Sequence, residues 1–168
     1  MNDTVLRVAA TLYGEAGMTL AMLYAAAYVM ACRMDSLYVY DGLWVDMLAG
    51  TSYTGHFNEL GGWAWYKRAV ARGTLYLEDM REAIEEDGGL AVSAHRLAWL
   101  MVRGKFGPAQ IAALAEYDTG LQLAGPLLFC MSEEDRHRKD GTVWPEGDVI
   151  VDGPKGYELH LYREWPGR

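Results

Sequence analysis

The feature that most restricts how this chain can fold is an uncharged run over residues 16–32, AGMTLAMLYAAAYVMAC. A membrane-spanning helix needs about 20 consecutive apolar residues, so the run is borderline in length for a span. It is rich in alanine and contains Thr19, Tyr24 and Tyr28. These features favour a helix that is buried on most sides inside a globular domain, with no stable insertion into a membrane. A membrane helix is the alternative.

Length, composition and charge restrict the partners. The length of 168 residues and the hydrophobic fraction of 51% predict a single domain over residues 1–168, which we expect to be a monomer. The net charge of −8 argues against a nucleic-acid partner, because phosphate binding requires a basic face. The first ten residues lack the basic and apolar regions of a signal peptide, so we expect synthesis in the cytoplasm.

The sequence contains no pattern typical of a cofactor or metal site. Cys32 and Cys130 lie far apart among apolar neighbours, which predicts buried free thiols. The four histidines are isolated, and neither a C-x-x-C nor an H-E-x-x-H spacing occurs. We therefore expect neither a metal nor a cofactor.

Hydrophobic periodicity predicts an α+β fold, with a mostly helical domain and a small C-terminal antiparallel sheet. A first helix should follow the cap residues 2–4 and end near residues 14–17, and a second should run from Thr19 to about residue 34. Further helices are expected at 38–50, 63–72, 77–86 and 90–103, with a short one after Pro108. A strand is expected at 126–131, a charged exposed segment up to residue 140, and a hairpin from 149–151 and 157–162.

Glu15 is the candidate catalytic residue. It lies at the C-terminal end of the first predicted helix, which is the unfavourable end for an anion. Its neighbours Gly14, Ala16 and Gly17 are small and leave space around the carboxyl group. In apolar surroundings desolvation raises the pKa of a carboxyl group, as an acid needs if it is to protonate a glycosidic oxygen near neutral pH. The alternative to a catalytic role is that Glu15 is a solvent-exposed glutamate at a helix end.

A series of motifs follows in order along most of the chain. The motifs are Tyr13-Gly14-Glu15-Ala16, Ala31-Cys32-Arg33, His56-Phe57, Trp144-Pro145 and the arm GYELHLY at 156–162. This order resembles the SleB-like cell wall hydrolases, the germination-type lytic enzymes of spores that also occur in phages and bacteria. Members of that family show Tyr-x-Glu-Ala, then Asn-Arg, a Gln-Phe pair in a loop, a tryptophan, and a strand of the type Gly-x-His-x-Phe-Tyr.

The chain departs from the family pattern at several positions. Cys32 stands in place of the asparagine and His56 in place of the glutamine, and the second glutamate usual after the first is missing. The C-terminal histidine of the family falls on Leu159 or, with a bulge, on His160. These departures leave open a catalytically degenerate lysozyme-like module that serves as a virion structural or wall-binding protein.

The resemblance implies a lysozyme-like fold and cleavage of the β-1,4 bond between N-acetylmuramic acid and N-acetylglucosamine. Glu15 would be the general acid and then the base, acting on peptidoglycan glycan strands at the cell wall, in phage or prophage lysis or within a virion. Two further carboxylates, Glu59 and Asp118, lie in segments that are predicted to be solvated loops. A one-acid mechanism, as in lytic transglycosylases that form a 1,6-anhydro sugar, therefore suits the sequence better than a two-carboxylate mechanism.

Substrate contacts are expected from side chains in loops and beside Glu15, because sugar rings stack on aromatic rings. The expected substrate-binding residues are Tyr13, His56, Phe57, Glu59, Trp63, Trp144 and Tyr162. Trp44 and Trp99 lie within apolar helical patterns and are predicted to be core residues.

Overall fold

The computed structural model of the protein describes residues 3–16, 18–35, 76–87 and 89–167. Its first helix, α1 (Asp3–Ala16), ends where the sequence predicts. Val5, Leu6, Val8 and Leu12 are buried along it, whereas Arg7 is exposed, as expected for an amphipathic helix.

The uncharged run forms most of α2 (Leu20–Asp35), in which every residue from 22 to 32 is buried. Thr19 caps this helix, because its Oγ1 accepts a hydrogen bond of 3.1 Å from the backbone N–H of Met22. The predicted start and the predicted burial of this helix are therefore both confirmed. Among the described residues, no helix combines the length and the apolar character required to cross a bilayer.

Three further helices pack around the first two: α3 (Tyr76–Asp87), α4 (Leu90–Val102) and α5 (Pro108–Thr119). α4 packs against α1, α5 packs against α2, and α3 contacts both α1 and α4. Pro108 occupies the first turn of α5, and Gly120 ends it with a φ of 75°. The helices predicted at 77–86, at 90–103 and after Pro108 are thus confirmed.

The prediction that Trp99 is a core residue is wrong, since this side chain is 52% exposed. The buried face of α4 consists of Ala91, Ala94, Leu97, Ala98 and Met101. Residue 99 is about 100° around the helix axis from residue 98 and falls outside that stripe. An apolar sequence neighbourhood therefore did not determine which way this indole points.

A three-stranded antiparallel sheet follows the helices, in the order β1 (Phe129–Ser132), β3 (Glu158–Tyr162), β2 (Val149–Asp152). Leu161 pairs with Cys130 on one side and with Val149 on the other. A 3-10 turn at Pro154–Gly156 joins β2 to β3, and Lys155 and Gly156 both have positive φ there. The predicted strand and hairpin are confirmed.

Both faces of the sheet carry buried side chains, although Ile150 on the outer face is 39% exposed. The face toward the helices carries Val151, Leu159 and Leu161, all of which are buried. The outer face carries Met131, His160 and Tyr162, which are buried as well. A short helix, α6 (Glu133–Arg136), and the chain that follows it approach this outer face through Tyr162 and His160.

The segment after β1 was expected to be charged and exposed up to residue 140. Glu134 and residues 137–140 are exposed as expected, whereas Glu133 and Asp135 are half-buried and Arg136 is buried. This guanidinium is only 7% exposed. It donates hydrogen bonds to the carbonyls of Trp144 at 2.9 Å and Pro145 at 3.3 Å, and it pairs with Glu133. Burial is possible because these acceptors replace water around the charge. The architecture is therefore the predicted α+β class, mostly helical with a small C-terminal antiparallel sheet.

Candidate active site

Glu15 lies at the C-terminal end of α1, and the packed helices bury it to 6% exposure. Its Oε1 makes no hydrogen bond within the part of the chain that the structure describes. Burial raises the pKa of this carboxyl from its ordinary value of 4.5 to about 8. The negative charge of Asp135 raises the pKa further, and the positive charge of Arg33 opposes the shift. At neutral pH the carboxyl therefore keeps its proton.

The register of the sheet brings three more polar groups to the helix-facing side. Cys130 and Ser132 are two residues apart on β1, so both face that side. Tyr157 lies two residues before Leu159 and therefore faces the same side. The Tyr157 hydroxyl is buried and, among the described residues, has no hydrogen-bond partner. Glu15 and Tyr157 thus each bury an oxygen that could still form a hydrogen bond.

These groups form one electrostatic cluster. Burial raises the pKa of the Cys130 thiol to about 12, and the charges of Glu15 and Asp135 act in the same direction. Burial also raises the pKa of the Tyr157 hydroxyl, and Cys130, Asp135 and Glu15 contribute to the shift. We refer to Glu15, Arg33, Cys130, Asp135 and Tyr157 as the Glu15 cluster.

Asp135 is a second carboxylate that the sequence did not single out. Its Oδ2 accepts a hydrogen bond of 2.8 Å from the Ser132 hydroxyl, and its backbone N–H donates to the same Ser132 oxygen at 3.1 Å. Through these two bonds Ser132, the last residue of β1, caps the N-terminus of α6. The bonds also hold the Asp135 carboxylate on the helix-facing side of the sheet. The Ser-x-x-Asp spacing directly after an apolar strand was the available signal in the sequence.

The structure gives Asp118, one of the two carboxylates considered from sequence, a different role. It lies on α5 and accepts a hydrogen bond from the Tyr24 hydroxyl of α2. This contact ties two packed helices together. Asp118 does not contribute to the raised pKa of Glu15.

The structure describes three of the residues that were predicted to contact substrate: Tyr13, Trp144 and Tyr162. Tyr13 is half-buried and packs against the core. Tyr162 is 3% exposed, and its hydroxyl donates a 2.9 Å hydrogen bond to the carbonyl of Pro145 on the outer face of the sheet. Trp144 is half-buried and contacts Trp165. The hydroxyl of Tyr162 therefore holds the segment before β2 and points away from the Glu15 cluster.

The remaining predicted contacts lie outside the described residues. They are His56, Phe57, Glu59 and Trp63. Trp44, predicted to be a core residue, lies outside them as well.

One group of side chains in the described part of the chain has the composition of a metal site: Glu133, Glu158 and His160, with ligand atoms within 4.8 Å of one another. However, Nδ1 of His160 accepts a hydrogen bond of 3.0 Å from the N–H of Gly147. The proton of the neutral imidazole therefore resides on Nε2, the atom that faces both carboxylates. It donates to Glu158 at 3.2 Å, while Glu133 lies nearer at 2.8 Å without hydrogen-bond geometry.

A metal ion at this position would have to displace the Nε2 proton and disrupt the bond from Gly147, since a metal-bound imidazole carries its proton on Nδ1. The arrangement is thus a hydrogen-bonded network. The ion pair of Arg136 with Glu133 and the hydrogen bond between His137 and Glu133 extend it.

Comparisons of this chain with protein-family models, with curated proteins and with solved structures find no match. The resemblance to the SleB-like hydrolases stays a prediction.

Proposed function

We propose that this protein cleaves the glycan strands of peptidoglycan, with Glu15 as the general acid. One observation carries this proposal: Glu15 is a buried carboxyl group whose pKa of about 8 keeps it protonated at neutral pH. An alkoxide is a poor leaving group, so breaking a glycosidic bond requires a proton donor of this kind. The motif order in the sequence supports the same residue for the same role.

In the proposed reaction, Glu15 gives its proton to the oxygen of the β-1,4 bond between N-acetylmuramic acid and N-acetylglucosamine. The bond from that oxygen to C1 of the muramic acid then breaks, and positive charge develops at C1. A hydroxyl oxygen, from water or from position 6 of the same sugar, bonds to C1 and releases its proton to the Glu15 carboxylate. Water yields a reducing end, and the internal hydroxyl yields a 1,6-anhydro sugar.

The surroundings of Glu15 support both halves of this cycle. In the ground state, burial and the negative charge of Asp135 both favour the protonated acid. After the proton has left, a second negative charge lies beside Asp135 in a site with little water. This repulsion favours the return of a proton to Glu15, and Arg33 moderates it.

The decisive experiment compares the wild type with Glu15→Gln in a turbidity assay on purified cell walls. Glutamine has nearly the same shape but cannot donate the proton, so clearing should stop while the variant remains folded. Glu134→Gln is the matched control, because it removes an exposed carboxylate near the Glu15 cluster. If Glu15→Gln still clears cell walls, the proposal is wrong.

A second candidate function is wall binding without catalysis. The burial of Glu15 favours this candidate, because a residue that is only 6% exposed leaves little of its carboxyl group accessible to a sugar. Mass spectrometry of the soluble products separates the candidates. Anhydro products indicate a lytic transglycosylase and reducing ends indicate a hydrolase. Wall binding without released fragments indicates the binding module.

A further inference from the structure

Three aromatic rings from distant parts of the chain meet beside the sheet. Phe129 starts β1, Trp144 lies between α6 and β2, and Trp165 follows β3. The ring centroids of Phe129 and Trp165 are 5.4 Å apart, and those of Trp144 and Trp165 are 5.0 Å apart. We refer to these three rings as the aromatic surface. Trp165, its central ring, is 41% exposed, so part of an indole faces solvent.

A guanidinium group lies at each end of the aromatic surface. The Cζ of Arg33 is 5.3 Å from the centroid of Phe129, and the Cζ of Arg138 is 4.4 Å from that of Trp144. Arg33 is also the cation whose charge acts on Glu15. The aromatic surface is therefore continuous with the Glu15 cluster at one end and reaches the exposed Arg138 at the other.

The rings are held in place before any ligand arrives. Arg136 binds the carbonyl of Trp144, and Tyr162 binds the carbonyl of the next residue, Pro145. The C-terminal chain closes over the pair of indoles at Gly167. A Cβ there would lie 2.7 Å from Nε1 of Trp165 and 2.9 Å from Cζ2 of Trp144. Rings that are already ordered lose little conformational entropy on binding, which favours affinity.

We propose that the aromatic surface, with Arg33 and Arg138 at its ends, binds a carbohydrate chain that carries carboxylate groups. The flat C–H faces of sugars stack on aromatic rings, and a partly exposed indole provides such a face. Guanidinium groups bind carboxylates and sugar hydroxyls through several N–H donors. In peptidoglycan the lactyl group of muramic acid is amide-linked to a short peptide, and the free carboxylates of that peptide are groups of this kind. This inference rests on the proposed function for the identity of the sugar chain.

The charge distribution favours this ligand over single-stranded nucleic acid, which also stacks on aromatic rings. Nucleic acid carries a charge on every nucleotide and requires a basic groove. The chain as a whole has a net charge of −8, and exposed Glu134 and Asp140 lie in the same segment as Arg138. Two cations at the ends of an aromatic row suit widely spaced carboxylates better.

The test measures binding to insoluble peptidoglycan by co-sedimentation, with Glu15→Gln as the parent protein so that the polymer is not digested. Trp165→Ala in that background should weaken binding about tenfold or more, because it removes a stacked aromatic ring. Trp99→Ala is the matched control, because it deletes another exposed indole, 52% exposed, which lies on α4. Equal binding by the two variants would overturn the proposal.

Arg138→Gln provides a second variant on an exposed side chain, so the result does not depend on whether Trp165→Ala folds. It should weaken binding to peptidoglycan and leave binding to chitin, a neutral sugar polymer, unchanged. The same loss on both polymers would overturn the role of the carboxylates. Trp165-dependent binding to single-stranded DNA, with none to either polymer, would overturn the carbohydrate ligand.

Fragment release and binding to peptidoglycan distinguish a failure of the proposed function from a failure of the proposed binding surface. If the wild type with Glu15 intact releases no fragments but Trp165-dependent binding to peptidoglycan persists, the catalytic proposal fails and the binding surface stands.

Discussion

The backbone N–H of Gly147 donates a hydrogen bond of 3.0 Å to Nδ1 of His160, an imidazole with no exposed surface. The bond joins the chain before β2 to the outer face of β3. It also directs the Nε2 proton toward Glu133 and Glu158. A glycine backbone thereby determines the tautomer of a buried histidine.

Replacing Gly147 with alanine should disrupt this junction. The added Cβ would lie 2.8 Å from both the N and the O of Leu161, whose strand is paired on both sides. We expect the free energy of unfolding to fall by about 2 kcal/mol and Tm by about 4–8 °C, measured by urea and thermal unfolding. At Gly141 nothing lies within 4 Å of the added Cβ, and the positive φ of 87° is the one source of strain, so Gly141→Ala should lose less. Equal losses would contradict the prediction.

The stability of the fold should depend on pH through Glu15. The folded chain holds this proton up to about pH 8, whereas the unfolded chain releases it near pH 4.5. The unfolded state therefore binds fewer protons over this interval, so stability falls as pH rises. The contribution is fully present below pH 4.5 and is lost as pH rises through 8. Its size is on the order of a few kcal/mol.

Urea unfolding over this pH range should show a smaller loss of stability for Glu15→Gln than for the wild type, because glutamine has no proton to release. Glu134→Gln should behave like the wild type. The same pH dependence in the wild type and in Glu15→Gln would show that the carboxyl titrates normally.

Asp135→Asn should lower the pKa of Glu15, because it removes the negative charge that opposes ionisation. Asparagine retains an oxygen that can accept the hydrogen bond from Ser132. Carbon-13 NMR of the Glu15 carboxyl over a pH titration measures this shift without any need for activity. If the protein cleaves peptidoglycan as proposed, the alkaline limb of its pH profile should move to lower pH as well. An unchanged Glu15 titration in Asp135→Asn would rule out coupling of the two carboxylates.

Arg136 and Arg138 offer a matched pair of variants, one buried and one exposed. Arg136→Ala removes the donors to two carbonyls and leaves Glu133 without its partner, so we expect a loss of about 3 kcal/mol. Arg138→Ala should change stability by less than about 0.5 kcal/mol. Thermal unfolding of both variants tests the difference, and a similar Tm for the two would contradict it.

Local rules accounted for most of the described elements. The helix over the uncharged run, its cap at Thr19 and the turn before β3 were all predicted, because each depends on residues close together in sequence. Trp99 and Arg136 were assigned to the wrong environment. Their burial depends on which face of a helix meets a neighbour and on distant carbonyls, and neither is encoded locally.

The sequence by itself determined the α+β class, the order of the described elements apart from the short helix α6, and the position of a glutamate at the end of the first helix. Only the tertiary structure decided that this carboxyl is buried and that Asp135 acts on it. It alone brought three aromatic rings together between two arginines. The physical reason is that periodicity and caps act over a few residues. Desolvation and charge–charge interactions instead depend on side chains that only the packed chain brings close.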